Sequence, residues 1–297
     1  MSAKKKVSVI MSAYNAERFI GEAIQSALDQ TYPNLEVIVC DDGSTDRTAE
    51  VVKSFGNRVT YIYQSNRGQG AGRNNAAQRA TGEYLAFLDA DDLWEAHKIE
   101  KQIEVFSRAP DVGAVYSGMN VIDSVGRLLP SRTRPPMKRG EVFSDLIAEN
   151  FVGLSSLMVK RTVFDDVGGF SDHRYCQDFV MSLSIARSYK IDFVDEPLAF
   201  YRVHEAGLTN NPHLAFGETI EYFQHIPDEF NLSAMEEKIW RNQLKKLYVS
   251  YALLTLKRGE RGFSLDIARR ALEQGYFSPK LAIIRSLTAV HLEKLLI

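Results

Sequence analysis

Cysteine, tryptophan, long apolar runs and a surplus of either charge are all scarce in this chain of 297 residues. Its two cysteines, Cys40 and Cys176, are too few for a disulfide framework and point to a reducing compartment. Cys40 closes an apolar run and reads as a small core residue. No run approaches the roughly 18–20 apolar residues that span a bilayer. Lys4, Lys5 and Lys6 precede a short apolar stretch, but it flows into Ser12, Ala13, Tyr14 and Asn15 with no cleavage-type site, so no signal peptide is expected. A formal net charge of −2 excludes a general nucleic-acid binder. The expected setting is the cytoplasm, with a peripheral place at the inner face of a membrane as an option.

The length and the 45% hydrophobic content suit one large domain, or a domain with an appendage. Charge is unevenly spread. Residues 232–297 hold 12 Lys/Arg against 6 Asp/Glu, leaving 24 against 32 in the rest. An acidic body with a basic tail suggests a tail that meets an anionic surface.

The first hundred residues alternate strand and helix signals: strands at 7–11, 35–40, 59–63 and 84–88, helices at 17–30, 46–55 and 69–80. This order predicts a mainly parallel sheet with helices on both faces, whose ligands bind beyond the carboxyl ends of the strands. The middle of the chain is less regular. Strands are expected at 112–117, 157–160, 191–194 and 199–203, with a helix at 178–189. Beyond Pro212 the strand signals stop, and helices are expected at 233–256, 264–274 and 279–296.

Polar clusters fall at the strand ends. Asp89, Asp91 and Asp92 lie within four positions after an apolar strand. Neighbouring carboxylates there repel unless a cation lies between them, and hard divalent ions take such oxygen ligands. The competing reading makes Asp91 or Asp92 the cap of a helix over 95–106. Ser12, Ala13, Tyr14 and Asn15 can hold a planar base, or Ser12 or Asn15 can cap the helix at 17–30. Asp46 is a natural cap, which leaves Asp41 and Asp42 with no evident structural duty and able to accept from a base or a ribose hydroxyl. The Gly-rich stretch at 66–74 is neither a dinucleotide fingerprint nor a Walker loop; its glycines can admit a nucleotide backed by Arg73, or it is a solvated loop. Asp178 is read as a helix cap or a general base. His204, at a strand end, is read as a packed residue or a metal ligand.

Val-Ser-Val-Ile-Met-Ser-Ala-Tyr-Asn, Asp-Asp-Gly-Ser-Thr-Asp, Asn-Arg-Gly…Ala-Gly-Arg-Asn, Leu-Asp-Ala-Asp-Asp, Gly-Gly-Phe…Gln-Asp and Tyr-Arg-Val-His follow in order. Together they resemble family 2 glycosyltransferases of the GT-A fold, over roughly residues 6 to 210. The resemblance implies a Rossmann-like catalytic domain over 1–215, with a nucleotide-binding part to about 110 and an acceptor part from about 111. A helical appendage over 216–297 would follow. It implies that Ser12, Ala13 and Tyr14 line a nucleoside pocket, that Asp42, with Asp41 beside it, reads the base, and that Arg73 lies near the donor. Asp91 matches a ligand of Mn2+ or Mg2+, and Asp89 a partner toward ribose and metal. Asp178 matches the catalytic base. His204 matches a histidine that approaches the metal in some members.

The implied reaction is an inverting transfer from a nucleotide-diphosphate sugar, UDP-linked by resemblance, to a hydroxyl of a carbohydrate, glycolipid or glycoprotein. Thymidine and guanosine donors stay open. Two departures stand out. Gln177 replaces the family's usual Glu before Asp178. The Gln-x-x-Arg-Trp motif of processive synthases is missing, since Trp94 and Trp240 lie elsewhere. Two rivals stay open: a sugar nucleotidyltransferase, against which stands the lack of glycine before Gly21 in the first loop, and a non-catalytic sugar-nucleotide binder. Lys245, Lys246, Lys257, Arg258, Arg261, Arg269 and Arg270 offer a basic amphipathic surface for anionic lipid, or helices that pack on the catalytic domain or in a homodimer.

Overall fold

The computed structural model describes residues 5–130, 136–205, 207 and 211–284. In chain order its elements are β1 (Val7–Ala13), α1 (Ile20–Leu28), β2 (Leu35–Asp41), α2 (Thr48–Lys53), β3 (Val59–Tyr63), α3 (Gln69–Arg79), β4 (Tyr84–Phe87), β5 (Leu93–Trp94) and α4 (Lys98–Arg108). There follow β6 (Val112–Ile122), α5 (Phe143–Ala148), β7 (Met158–Lys160), α6 (Arg161–Asp166), α7 (Gln177–Ser188) and β8 (Lys190–Arg202), then α8 (Pro212–Phe230), α9 (Ala234–Lys257) and α10 (Arg261–Glu273).

Eight strands form one sheet in the order β3-β2-β1-β4-β7-β6-β8-β5. The β3-β2-β1-β4 half is parallel, β7 runs antiparallel to both its neighbours, and β6 pairs parallel with β8. Every residue of β1 is buried, as a central parallel strand covered on both faces requires. Ile20, Ala23, Ile24 and Ala27 recur at helical spacing and place α1 on the core, joined by Ile99, Val105 and Phe106 of α4. Each such large apolar side chain contributes about 1.5–3 kcal/mol on full burial. Arg161 closes α3 by donating to the carbonyls of Ala77, Ala80 and Gly82, satisfying acceptors that a helix end leaves open.

Several expected elements shift. The helices expected at 17–30 and 46–55 shorten, because 14–19 and 42–47 belong to turns that face each other. The two strands expected at 191–194 and 199–203 are one strand, β8; Pro197 lies opposite Gly118 at a register shift that absorbs its missing N–H. Helix α8 was not anticipated. Of the helix expected over 279–296, only 279–284 falls within the described residues.

The described chain divides into two units, the first holding 5–146 and 150–207, the second 147–149 and 211–284. In the second, Ser233 and Glu236 form a capping box on α9. Trp240 Nε1 donates to the Phe223 carbonyl at 2.5 Å, and Ser264 Oγ to that of Ala252 at 2.7 Å. Part of the basic tail is internally neutralised, with Arg269 on Glu273 at 2.7 Å and Arg270 on Asp266 at 2.8 Å.

Glu36 ties the amino-terminal edge of the sheet together. Its carboxylate accepts from Lys6 Nζ at 2.8 Å, Ser8 Oγ at 2.6 Å, and the backbone N–H and hydroxyl of Thr81 at 2.7 and 2.9 Å. Burial alone would raise its pKa, but these four donors pull it from 4.5 down to about 2. A depressed carboxylate stabilises the fold above its unfolded pKa, and that stability is lost as pH falls through the folded value. Urea unfolding of Glu36→Gln is therefore expected to show a deficit of about 3 kcal/mol near neutrality. The deficit should shrink as pH falls from 4.5 toward about 2.

Candidate active site

Three strand ends meet at one sheet edge. Ser12 and Ala13 pair with Cys40 and Asp41, the Asp42 N–H donates to the Ala13 carbonyl at 2.8 Å, and the Leu88 N–H donates to that of Ile10 at 3.1 Å. Residues 12–14, 41–42 and 89–92 therefore leave the sheet side by side. The Tyr14 ring is 47% exposed, whereas Ser12 is buried with its hydroxyl unpartnered. The glycines of the 66–74 stretch are largely helical rather than loop. Gly70 and Gly72 lie in the first turns of α3, and a Cβ on Gly72 would come within 2.3 Å of Ser12 Oγ.

Asp41 and Asp42 do have structural duties, contrary to the sequence reading. Asp42 accepts from Gln64 Nε2 at 2.7 Å and from the N–H groups of Arg67 and Gly68 at 2.9 and 2.8 Å, bracing the entry to α3. Asp41 accepts from the Ser44 N–H and the Tyr61 hydroxyl, both at 2.8 Å. Asn15 and Ser12 do not cap α1. Asn15, at a φ of 48°, instead accepts from the Thr45 N–H at 2.8 Å while its own N–H donates to Ser44 Oγ at 3.0 Å. Asp46 grips the Thr48 and Glu17 N–H groups just ahead of α2.

The 89–92 turn carries three carboxylates, each with its own partners. Asp89 accepts from Arg73 at 2.5 Å. Asp91 Oδ2 lies 2.9 Å from His204 Nε2. Asp92, 1% exposed, accepts from Ser155 Oγ at 2.5 Å and from the Arg202 N–H at 2.9 Å. Neither Asp91 nor Asp92 caps α4, which is preceded by His97. Arg202 returns the grip: its Nε donates to the Asp91 carbonyl at 2.7 Å and a terminal nitrogen meets Glu22 at 2.8 Å. Its guanidinium lies 4.9 Å from the centre of the Phe19 ring, which packs on His204 at 4.6 Å. Burial first, then the neighbouring Asp89, raises the pKa of Asp91, while His204 opposes the shift. Asp92 is raised well above the ordinary range by burial and by both neighbouring carboxylates.

Among the described residues no cluster of three or more His, Cys, Asp or Glu forms a ready-made metal cage. The sequence placed Asp89, Asp91 and His204 together as ligands. The structure joins Asp91 to His204 and gives Asp89 to Arg73. One carboxylate and one imidazole suit Mg2+ or Mn2+, which keep water and bind substrate phosphates beside one or two protein groups. The pair fits a cation shared with a phosphorylated substrate.

Helix α7 supplies the other wall. Asp178 is in its first turn and is not its cap, which is Cys176. The Asp178 pKa is raised by burial and by Asp89, against the pull of Arg73 and of the Phe179 N–H. Asn74 fixes the approach of this wall by donating to the Phe170 carbonyl at 2.8 Å and accepting from its N–H at 2.9 Å. Gly169, at a φ of +74°, leaves room, since a Cβ there would meet Asn74 Oδ1 at 2.6 Å. Arg73 is 5.3 Å from the centre of the Phe170 ring. Sequence reasoning missed Asn74, Arg202 and Ser155. The first two lie inside quoted motifs, whereas Ser155 has no local signal.

The profile of the family described as Glycosyl transferase family 2 matches residues 8–168. The chain is 30% identical over 228 residues to the putative teichuronic acid biosynthesis glycosyltransferase TuaG of Bacillus subtilis, covering 75% of this chain and 89% of that one. It is 30% identical over 212 residues to WfgD of Escherichia coli, a UDP-Glc:alpha-D-GlcNAc-diphosphoundecaprenol beta-1,3-glucosyltransferase, covering 69% and 80%. Among solved structures, the mannosyltransferase PcManGT of Pyrobaculum calidifontis, in complex with GDP-Man and Mn2+, superposes with a TM-score of 0.66 at 20% identity, covering 98% of this chain and 81% of that one. The chain belongs to glycosyl transferase family 2 and is a glycosyltransferase of GT-A fold. Its relatives include enzymes of bacterial polysaccharide synthesis.

The Asp92 clamp gives a direct test. Asp92→Ala strands the buried Ser155 hydroxyl and the Arg202 N–H, which should lower stability by about 2–4 kcal/mol in a denaturant melt. Ser155→Ala, which removes the donor to Asp92 and the acceptor of the Asp89 N–H but leaves Arg202 on Asp92, should fall short of the Asp92 variant.

Proposed function

We propose that this enzyme carries out an inverting transfer from a UDP-linked sugar to a hydroxyl of a glycan borne on a lipid diphosphate. Support for the donor and acceptor classes comes from WfgD, whose name specifies both for that protein. In this reading the first unit is catalytic. The base lies against Tyr14 and Ala13, with Ser12, Asp41 and Asp42 around it, and Arg73 and Asp89 face the ribose and the diphosphate. Asp91 and His204 would hold a divalent cation, Mn2+ or Mg2+, which when bound supplies Lewis-acid relief for a leaving diphosphate.

Asp178 takes the proton of the acceptor hydroxyl as that oxygen attacks the anomeric carbon from the face opposite the leaving group. A carboxylate whose pKa is raised by burial is a stronger base than one in water. Arg73, bonded to Asp89, opposes the effect of burial and lowers the Asp178 pKa. The observation that carries the reading is the meeting, at one sheet edge, of the Asp91–His204 pair, the Arg73–Asp89 pair and a desolvated Asp178. A place at the cytoplasmic face follows from such a donor and acceptor.

Asp178→Asn should bind UDP-sugar with an unchanged thermal shift while turnover drops on the order of 10²–10⁴-fold. The base works deprotonated, so wild-type kcat should fall as pH drops through a pKa raised above 3.8, and the variant should lose that limb. Full transfer by the variant would remove Asp178 from the role.

A further inference from the structure

Lys98 opens α4 and is wholly shut off from water, yet it has no part in the site described above. Among the described residues no carboxylate pairs with it, and burial pulls its pKa well below the ordinary lysine value. The first turn of a helix disfavours a cation further, since the helix dipole is positive there. Methionine would fill much the same space without an amine to desolvate. Packing alone does not account for a lysine at this place, so its value lies in what the amine holds.

Lys98 Nζ donates to Gln102 Oε1 at 2.8 Å and lies 4.1 Å from the centre of the Trp94 ring, within reach of a cation–π attraction when protonated. Both partners are buried, and both grip the 154–156 turn. Gln102 Nε2 donates to the carbonyls of Val115 at 2.9 Å and Ser156 at 2.8 Å, and Trp94 Nε1 donates to that of Ser155 at 2.6 Å. Lys98 settles which way the Gln102 amide faces. With Oε1 taken up by a donor, both N–H bonds of the amide are left for the two carbonyls. The turn so held passes its order to the sheet edge. Ser155 Oγ donates to Asp92 at 2.5 Å and accepts from the Asp89 N–H at 3.1 Å.

We propose that Lys98 is a positioning residue for sugar transfer: through Trp94 and Gln102 it fixes the backbone of Ser155 and Ser156, and through Ser155 it fixes the 89–92 turn. That this turn serves the reaction rests on the function proposed above. That Lys98 holds the turn does not. The competing account makes Lys98 an ordinary member of the core, whose replacement would weaken the first unit evenly.

The test compares the full chain with its Lys98→Met variant by two readouts. Amide hydrogen exchange at single-residue resolution follows the N–H groups of Asp89 and Arg202, which are bonded to Ser155 and Asp92. In the variant both should exchange about tenfold faster or more, while those of Val9 in β1 and Val39 in β2 stay protected as in wild type. Release of UDP from UDP-glucose with Mn2+ should fall about tenfold to 10²-fold in kcat/KM. More of that loss should fall on KM for the donor, which the turn faces in this reading, than on kcat. If Lys98→Met melts without cooperativity, Trp94→Phe takes its place, since it keeps a ring for the amine and loses the N–H on the Ser155 carbonyl. Wild-type exchange at Asp89 and Arg202, a rise that includes Val9 and Val39, or faster local exchange with unchanged UDP release would each overturn the proposal. A wild type that leaves UDP-glucose untouched removes the donor reading instead, and the exchange rates then decide whether Lys98 holds the turn.

Discussion

The buried carboxylate of Asp92 is the constraint on which the site is built. A carboxyl group taken out of water is unfavourable unless hydrogen bonds replace its hydration. Here the replacements are the Ser155 hydroxyl and the backbone N–H of Arg202, drawn from positions 63 and 110 residues away. Meeting that demand brings the end of β8 and the 154–156 turn against the turn after β4. Arg202 completes the closure through the Asp91 carbonyl and Glu22. Two residues beyond Arg202, His204 is then left facing Asp91.

A second set of contacts joins the ends of β1 and β2 to the wall that holds Asp178. Glycines at 70 and 72 let α3 approach both sides closely. A Cβ on Gly70 would fall 2.4 Å from Gln177 Oε1, as one on Gly72 would fall 2.3 Å from Ser12 Oγ. Asn74 then locks α3 to the Phe170 backbone. Arg73 emerges from this tightly packed helix as a cation set among carboxylates, bonded to Asp89 and lowering the pKa of Asp178. Gln177, a neutral amide beside Asp178, adds no further negative charge to that neighbourhood.

Much of this was legible from local pattern. Strand β3 and helix α3 fall where apolar runs and helical spacing placed them, because their ends carry strong turn residues such as Thr81 and Gly82. The GT-A architecture was readable because strand ends and polar motifs alternate in order. What local pattern hid is long-range. Asp41 and Asp42 looked unemployed because, the Ser44 N–H apart, their donors, Gln64, Tyr61 and the backbone at 67–68, lie 20 or more residues on. Asp92 looked like a helix cap because its partners are farther still. The stretches 191–194 and 199–203 read as two strands because the extra residues between them, Pro197 included, are absorbed at a register shift of β8 against β6. Helix α8 escaped notice because Gly217 and Pro227 interrupt the sequence on which Ile220, Phe223, Ile226 and Phe230 recur at helical spacing and are buried.

The central claim, that the Asp92–Arg202 closure exists to set Asp91 and His204 as a cation-holding pair, is tested most directly by anomalous diffraction. The crystals would hold this protein with Mn2+ and UDP. The account predicts one strong manganese peak coordinated by Asp91 and His204, with a diphosphate oxygen in the same shell and Asp89 still on Arg73. A manganese peak held elsewhere, or none with UDP seated at the sheet edge, would contradict it.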